Sequence, residues 1–284
     1  MKTSRPLKLW ALILVCVWGL TLPVAHGADV ANKREIVQQA RQAYYSLQRQ
    51  GLLEFQTSVQ PNWRLVLKEQ LEKDPKSAEV ALKLLNGIHF TLKFAHDGAV
   101  SVTHRADVAA PNPEAAKGFE QIFSGMEQAM SGFFDTWKPF MFTTPFPEVD
   151  SLYQLEDTGT EYVLTYKEGD TDVTTTMSKQ LVIREMKIVS PTFISALRPQ
   201  FTRSPQGLLL TGYDATYREP SGSGAVTLKV QIGYQDVSGL QLPGSLTLNG
   251  SYEGTPFNME MAFKDYSVKN QPVAVPPDAA PKKP

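Results

Sequence analysis

The stretch YQDVSGLQLPGSLTLNG, from Tyr234 to Gly250, predicts two β-strands joined by a compact turn over residues 236–239. Leucines of the second strand fall on one face of a sheet, since successive side chains of a strand point to opposite faces. Pro243 cannot donate a backbone hydrogen bond, which predicts a strand near the sheet edge. The sheet is therefore expected to have one strongly apolar face, formed here by Leu240, Leu242, Leu246 and Leu248.

The chain from Ser151 to Val268 repeats this pattern. Turn sequences DTGT, EGDTD, SPQG, EPSGSG, VSG and YEG separate segments of alternating apolar and polar residues, most clearly in 226–234 and 257–263. With the strands nearer the N-terminus there are about eleven, mostly joined by short turns. This pattern predicts an antiparallel meander with one apolar face. We expect an α+β fold, a curved antiparallel sheet forming a half-open β-barrel with helices covering its concave face.

The N-terminal half adds helices to these strands. A helix is predicted from Asn32, as N-cap, towards a stop at Gly51, and a strand follows it. Residues 63–87 predict two short helices broken near Pro75 and ended by Gly87.

A hairpin is predicted in IHFTLKFAHDGAVSVTH, residues 88–104. A three-residue loop over 96–98, with Gly98 left-handed, sets Phe94 opposite Val100 and keeps the apolar residues on one face. A two-residue loop would exchange the faces, so we prefer the first register.

A second long helix is predicted to begin at Pro113, with Asn112 as its N-cap. It has an unusually aromatic stripe, and prolines after Trp137 are expected to prevent a regular helix there. Two interpretations remain open: a helix packed on the sheet, or a lid over a cavity that accepts acyl chains. Glycines every seven residues oppose the helix, which calls for close backbone approach or for bending. The stripe comprises Phe119, Ile122, Phe123, Met126, Met130, Phe133, Phe134 and Trp137, and the glycines are Gly118, Gly125 and Gly132.

The two ends of the chain differ from the rest. Residues 1–27 combine basic residues with an apolar run shorter than the about 20 residues that span a bilayer, which predicts a cleaved signal peptide and a periplasmic protein. A single domain is expected over 28–268. The tail, 269–284, is rich in proline and is predicted to be disordered.

Composition disfavours most enzyme and metal sites. The one cysteine, Cys16, lies within the predicted signal, which excludes disulfides and thiolate chemistry from the mature chain. The net charge is −1, without the basic excess of nucleic-acid-binding proteins. His89, His96 and His104 have no acidic partner at fixed spacing, and EGDTD lacks the calcium-loop pattern. No nucleophile elbow, HExxH or P-loop is present. We expect no catalytic residues, metal or cofactor.

The segment GYQDVSGLQLPGSLTL, followed by FKDYSV, together with the order of helices and strands, resembles the outer-membrane lipoprotein-sorting (LolA-like) superfamily. The resemblance implies an incomplete β-barrel around an apolar cavity with a helical lid, binding acyl chains of lipoproteins or lipids in the Gram-negative periplasm. The chain departs from that pattern in the helical segment 63–87 and in the proline-rich tail. No arginine matches the family's lid-holding residue, so no functional residue is transferred.

The resulting hypothesis is a non-enzymatic carrier that binds a lipid or acyl-bearing ligand between the sheet and the helix from Pro113 to Trp137, with at most transient membrane contact. A structural or interaction protein with a filled core is the alternative, and a hydrolase built on converging histidines is a third. The candidate binding residues are Phe119, Phe123, Met126, Met130, Phe134, Trp137, Leu242, Leu246, Leu248, Met259 and Met261.

Overall fold

A computed structural model describes residues 25–222 and 224–271. Most of the predicted signal peptide and of the proline-rich tail lies outside these residues. The helices are α1 (Ala25–Ala43), α2 (Trp63–Val66), α3 (Lys68–Lys73), α4 (Pro75–Asn86) and α5 (Pro113–Met141). Within the described residues, no helix combines the length and apolar character that crossing a bilayer requires.

One open antiparallel sheet of 12 strands dominates the fold, in the order β3-β2-β1-β12-β11-β10-β9-β8-β7-β6-β5-β4. From β4 to β12 every strand pairs with the next along the chain, and β1 joins β12, so that β3 and β4 are the edges. The strands are β1 (Leu52–Pro61), β2 (Ile88–Phe94), β3 (Val100–Ala106), β4 (Tyr153–Asp157), β5 (Glu161–Glu168), β6 (Thr171–Ser178), β7 (Ile183–Val189), β8 (Ile194–Ser204), β9 (Gly207–Arg218), β10 (Val226–Val237), β11 (Leu240–Tyr252) and β12 (Thr255–Asn270).

The β2–β3 hairpin has the predicted register. Phe94 pairs with Val100, and Gly98 has a φ of 80°. A left-handed glycine relieves the steric cost that other residues meet there, so the loop fixes which residues face the core.

The β10–β11 hairpin forms as predicted, but the expected position of Pro243 is wrong. Strand β11 lies between β10 and β12, in the interior of the sheet. The proline is tolerated because the register shifts beside it, between Gly233 and Tyr234. The bulge leaves Gly244 without a partner on β10, and the β11–β12 register begins only at Ser245, so Pro243 lies outside that second ladder. The carbonyl of Pro243 accepts a hydrogen bond of 2.7 Å from the Tyr266 hydroxyl.

Several helix boundaries also differ from the predictions. Helix α1 begins at Ala25 rather than after Asn32, since a single glycine costs a helix only about 1 kcal/mol. It ends at Ala43, before Gly51, because the Tyr45 N–H donates to the Leu208 carbonyl of β9.

The break at Pro75 and the Gly87 stop are confirmed, with Asp74 accepting a hydrogen bond from the Ser77 N–H as N-cap. A further break at Leu67 divides the first predicted helix into α2 and α3.

Helix α5 starts as predicted, with Asn112 accepting a hydrogen bond of 2.8 Å from the Ala115 N–H. It does not stop before Pro139, as the prolines suggested, but continues to Met141. A proline in the last turn removes one hydrogen bond, and the N–H groups of Phe142 and Thr143 both donate to the Lys138 carbonyl.

The described C-terminal boundary also lies later than predicted. Strand β12 runs through Asn270, and the Gln271 N–H donates to the Gly51 carbonyl. Lys269 and Asn270 therefore belong to the sheet and not to the tail.

Candidate functional site

A cavity of about 700 Å³ lies between α5 and strands β7 to β11, and Phe257 of β12 also lines it. This volume is within the range of small-molecule sites, about 300–1,000 Å³. Its lining is mostly apolar, and Asp135 is the one charged residue among the described residues that form it. The lining comprises Gly125, Gln128, Ala129, Gly132, Phe133, Asp135, Thr136, Pro139, Phe140, Met186, Ile188, Phe193, Ser195, Leu197, Tyr213, Tyr217, Val226, Leu228, Leu248, Tyr252 and Phe257.

Small residues of α5 form the helical wall of the cavity. Gly125, Ala129, Gly132 and Thr136 follow one another at helical spacing and so share one side of α5. A Cβ atom built on Gly125 or Gly132 meets no other heavy atom within 4 Å. Close backbone approach therefore does not explain these glycines, because the space next to them is open.

The sheet provides the opposite wall. Alternate residues of each strand point to the cavity, as strand geometry requires: Met186 and Ile188 in β7, then Ser195 and Leu197 in β8. The other lining residues of the sheet are Tyr213 and Tyr217 of β9, Val226 and Leu228 of β10, Leu248 and Tyr252 of β11, and Phe257 of β12.

Two exposed aromatic residues mark the mouth of the cavity. Phe193, in the β7–β8 turn, is 40% exposed, and Tyr252, at the end of β11, is 54% exposed. In a meander, the β7–β8 and β11–β12 turns fall at the same end of the sheet. The cavity therefore has an apolar rim at that end.

Hydroxyl groups lie within the otherwise apolar lining. Ser195 and Tyr217 are directly opposed in the β8–β9 register. Thr136 Oγ1 donates to the Gly132 carbonyl at 3.1 Å and lies 3.2 Å from the Tyr217 hydroxyl. Burial raises the pKa of Tyr213 and of Tyr217, so both phenols keep their protons at neutral pH. These groups offer hydrogen bonds without charge.

Most of the predicted binding residues lie in the packed core beside the cavity. The Phe134 ring contacts Phe55, Phe94 and Phe263, at centroid distances of 6.1, 5.8 and 6.2 Å. Trp137 Nε1 donates a hydrogen bond of 3.0 Å to the Tyr234 hydroxyl. Others in the same core cluster are Met126, Met130, Leu242, Leu246 and Met261, with Met259 and Phe119 partly buried against it.

Leu248 is the predicted residue that also lines the cavity. Phe123 is also partly buried against the core, and its ring stacks on His104 with the ring centroids 3.5 Å apart. Sequence reasoning did not select Gly125 or Gly132 as site residues, although their seven-residue spacing was the signal that could have done so.

The described histidines do not converge. His89 Nε2 lies 2.8 Å from the exposed Asp107 carboxylate, whereas His104 stacks on a phenylalanine. No group of three or more His, Cys, Asp or Glu side chains within residues 25–222 and 224–271 is arranged to hold a metal ion.

Comparisons with protein-family models, with curated proteins and with solved structures found no match. The resemblance to the lipoprotein-sorting superfamily stays a prediction, and the functional argument depends on the cavity.

Proposed function

We propose that this protein is a non-catalytic carrier that binds the hydrocarbon chain of a lipid or acyl-bearing ligand between α5 and strands β7 to β11. The observation that supports this most directly is the apolar cavity of about 700 Å³. Export through the predicted signal peptide to the periplasm, and transient contact with a membrane, belong to the same proposal.

The contacts of α5 support a sheet that curves around it. From Phe134 to Phe140 the helix rises only about 9 Å and is about 10–12 Å wide. Within this segment Phe134 contacts Phe94 of β2, Thr136 contacts Tyr217 of β9, and Phe140 contacts Phe201 of β8.

In the order of the sheet, β2 and β8 are the first and last of seven neighbouring strands, β2-β1-β12-β11-β10-β9-β8. At the usual strand spacing, these seven strands span about 29 Å. A flat sheet could not contact so short a segment across that width. We infer a half-barrel with α5 on its concave side.

The cavity favours a ligand-binding carrier over the alternative, a structural or interaction protein with a filled core. That alternative requires the space between α5 and strands β7 to β11 to be occupied by side chains, yet a cavity of about 700 Å³ lies there, and Gly125 and Gly132 line it. Two glycines in a helix cost about 2 kcal/mol relative to alanine. Space for a ligand is a reason to retain them.

A substitution on α5 that places a larger side chain in the cavity tests this proposal. Gly132→Leu places a side chain in the open space, without a clash at its Cβ. Purified protein is titrated with a neutral naphthylamine dye that fluoresces in apolar surroundings, and native mass spectrometry follows incubation with a bacterial lipid extract. We expect the wild type to bind both, and Gly132→Leu to bind the dye at least about 10-fold more weakly.

Gly118→Leu is the matched control. Gly118 is on the same helix, its Cβ also meets nothing within 4 Å, and it does not line the cavity. It should bind like the wild type. Absence of dye and lipid binding by the folded wild type, or equal binding by Gly132→Leu, contradicts the proposal.

A further inference from the structure

Ser195 is a buried hydroxyl on the cavity wall. The residue is 5% exposed, lines the cavity and faces Tyr217 across the β8–β9 register. Its side chain makes no hydrogen bond with the described part of the chain, although its oxygen is not sealed from the cavity. A hydroxyl kept in an apolar site without a partner costs stability unless something binds to it. Ser195 is therefore positioned to donate a hydrogen bond to a ligand.

The charge of the lining limits what that ligand can be. Lys, Arg and His are absent from the described lining residues, and Asp135 is the single charged one. Asp135 has no ion-pair partner within residues 25–222 and 224–271. An ionised carboxylate or phosphate in this cavity would lose hydration without meeting a cation, and the exposed carboxylate of Asp135 would repel it weakly through water.

We propose that the cavity selects an acyl chain that ends in an uncharged ester or amide, whose carbonyl oxygen accepts a hydrogen bond from Ser195, and that Asp135 disfavours free fatty-acid anions. This inference rests on the proposed hydrocarbon-binding function and assigns its ligand class. Ser195 supplies an uncharged donor, and the surrounding Leu197 and Leu228 contact the chain.

Displacement of the naphthylamine dye by two ligands with the same chain tests this proposal. Monomyristoylglycerol carries a neutral ester, and myristic acid is an anion at pH 8 because carboxyl pKa values lie near 4. We expect the wild type to bind the ester at least about 10-fold more tightly than the acid.

Two substitutions distinguish the hydrogen bond from Ser195 and the repulsion by Asp135. Ser195→Ala should weaken binding of the ester about 5- to 10-fold, which is the loss of one hydrogen bond, and leave dye affinity unchanged. Asp135→Asn should strengthen binding of myristic acid at least about 3-fold and leave the ester unchanged. Thr216→Ala is the control, because Thr216 is an exposed residue of β9 outside the cavity lining.

The outcomes separate this inference from the proposed function. If the wild type binds ester and acid equally, or if Ser195→Ala binds the ester normally, the ligand class is wrong while hydrocarbon binding stands. If the folded wild type binds the dye and neither acyl ligand, the inference and acyl carriage both fail.

Discussion

Helix α5 contacts the sheet through two regions of opposite character. Towards β1, β2 and β12, Phe134 packs among Phe55, Phe94 and Phe263, and the space is filled by aromatic rings. Towards β7 to β11, the same helix presents Gly125 and Gly132 to a cavity of about 700 Å³. We call the first the filled region and the second the cavity region. The side of α5 in the filled region carries large aromatic side chains, and the side in the cavity region carries glycines.

We infer that the filled region stabilises the fold and that the cavity region binds the ligand. Close packing in the filled region holds α5 on the sheet, whereas the cavity region forgoes packing contacts that a larger side chain would make. Substitutions on the two sides of α5 should therefore have opposite effects, and the following predictions test whether they do.

The largest effect is expected in the filled region. Phe134→Ala removes a fully buried ring with three aromatic neighbours on the sheet, and should lower the free energy of unfolding by about 3–5 kcal/mol. Urea denaturation measures this change. Phe193→Ala, at the exposed mouth of the cavity, should cost less than about 1 kcal/mol. Similar losses for both variants would remove the distinction between the two regions.

The loss of stability at alkaline pH reports how well each region shields a buried tyrosine from water. Burial raises the pKa of Tyr234, in the filled region, and of Tyr213, on the cavity wall, above the ordinary value of 10. The unfolded chain therefore loses these protons first. Each tyrosine contributes its full stability below pH 10, and the contribution falls by about 1.4 kcal/mol per pH unit above pH 10, until the pKa of the folded state is reached.

Urea midpoints measured between pH 8 and pH 11.5 follow this loss. Tyr234→Phe and Tyr213→Phe should each make the decline shallower than in the wild type, and Tyr252→Phe, at an exposed position, serves as control. If Tyr234→Phe alone has an effect, water fills the cavity region and the phenol of Tyr213 is solvated.

The smallest effect is a gain of stability in the cavity region. Gly125→Ala and Gly132→Ala should each stabilise the protein by about 1 kcal/mol, because alanine favours a helix and its methyl group meets nothing within 4 Å. Thermal or urea unfolding measures the gain. Gly212→Ala provides the contrast, since its Cβ would lie 2.4 Å from the Val230 carbonyl oxygen and should destabilise the sheet. A loss of stability at Gly132 would mean that the space beside it is not open.

Local chemistry predicted much of the fold. The left-handed Gly98 fixed the β2–β3 register, and Asn112 with Pro113 marked the start of α5, because each feature acts within a few residues. Predictions failed where distant parts of the chain intervene. Pro243 lies in an interior strand because a bulge accommodates it, and Pro139 is tolerated within the last turn of α5.

The candidate site was predicted less well than the fold. The aromatic stripe of α5 drew attention to Phe134 and Trp137, which belong to the filled core. The sequence explained Gly125 and Gly132 by close backbone approach or bending of the helix, and not by a cavity. Large apolar side chains indicate where a protein is packed, whereas a binding cavity depends on where side chains are small.

By itself, the sequence determined the one-faced apolar strands, the short turns that make a meander, and a helix with one aromatic stripe, since alternation, turn chemistry and helical spacing are local properties of the chain. Only the tertiary structure decided that Gly125 and Gly132 of α5 face an open cavity and that Ser195 lies in its wall. The size of that gap depends on the distance between α5 and strands far away in sequence, and no local pattern specifies a distance of that kind.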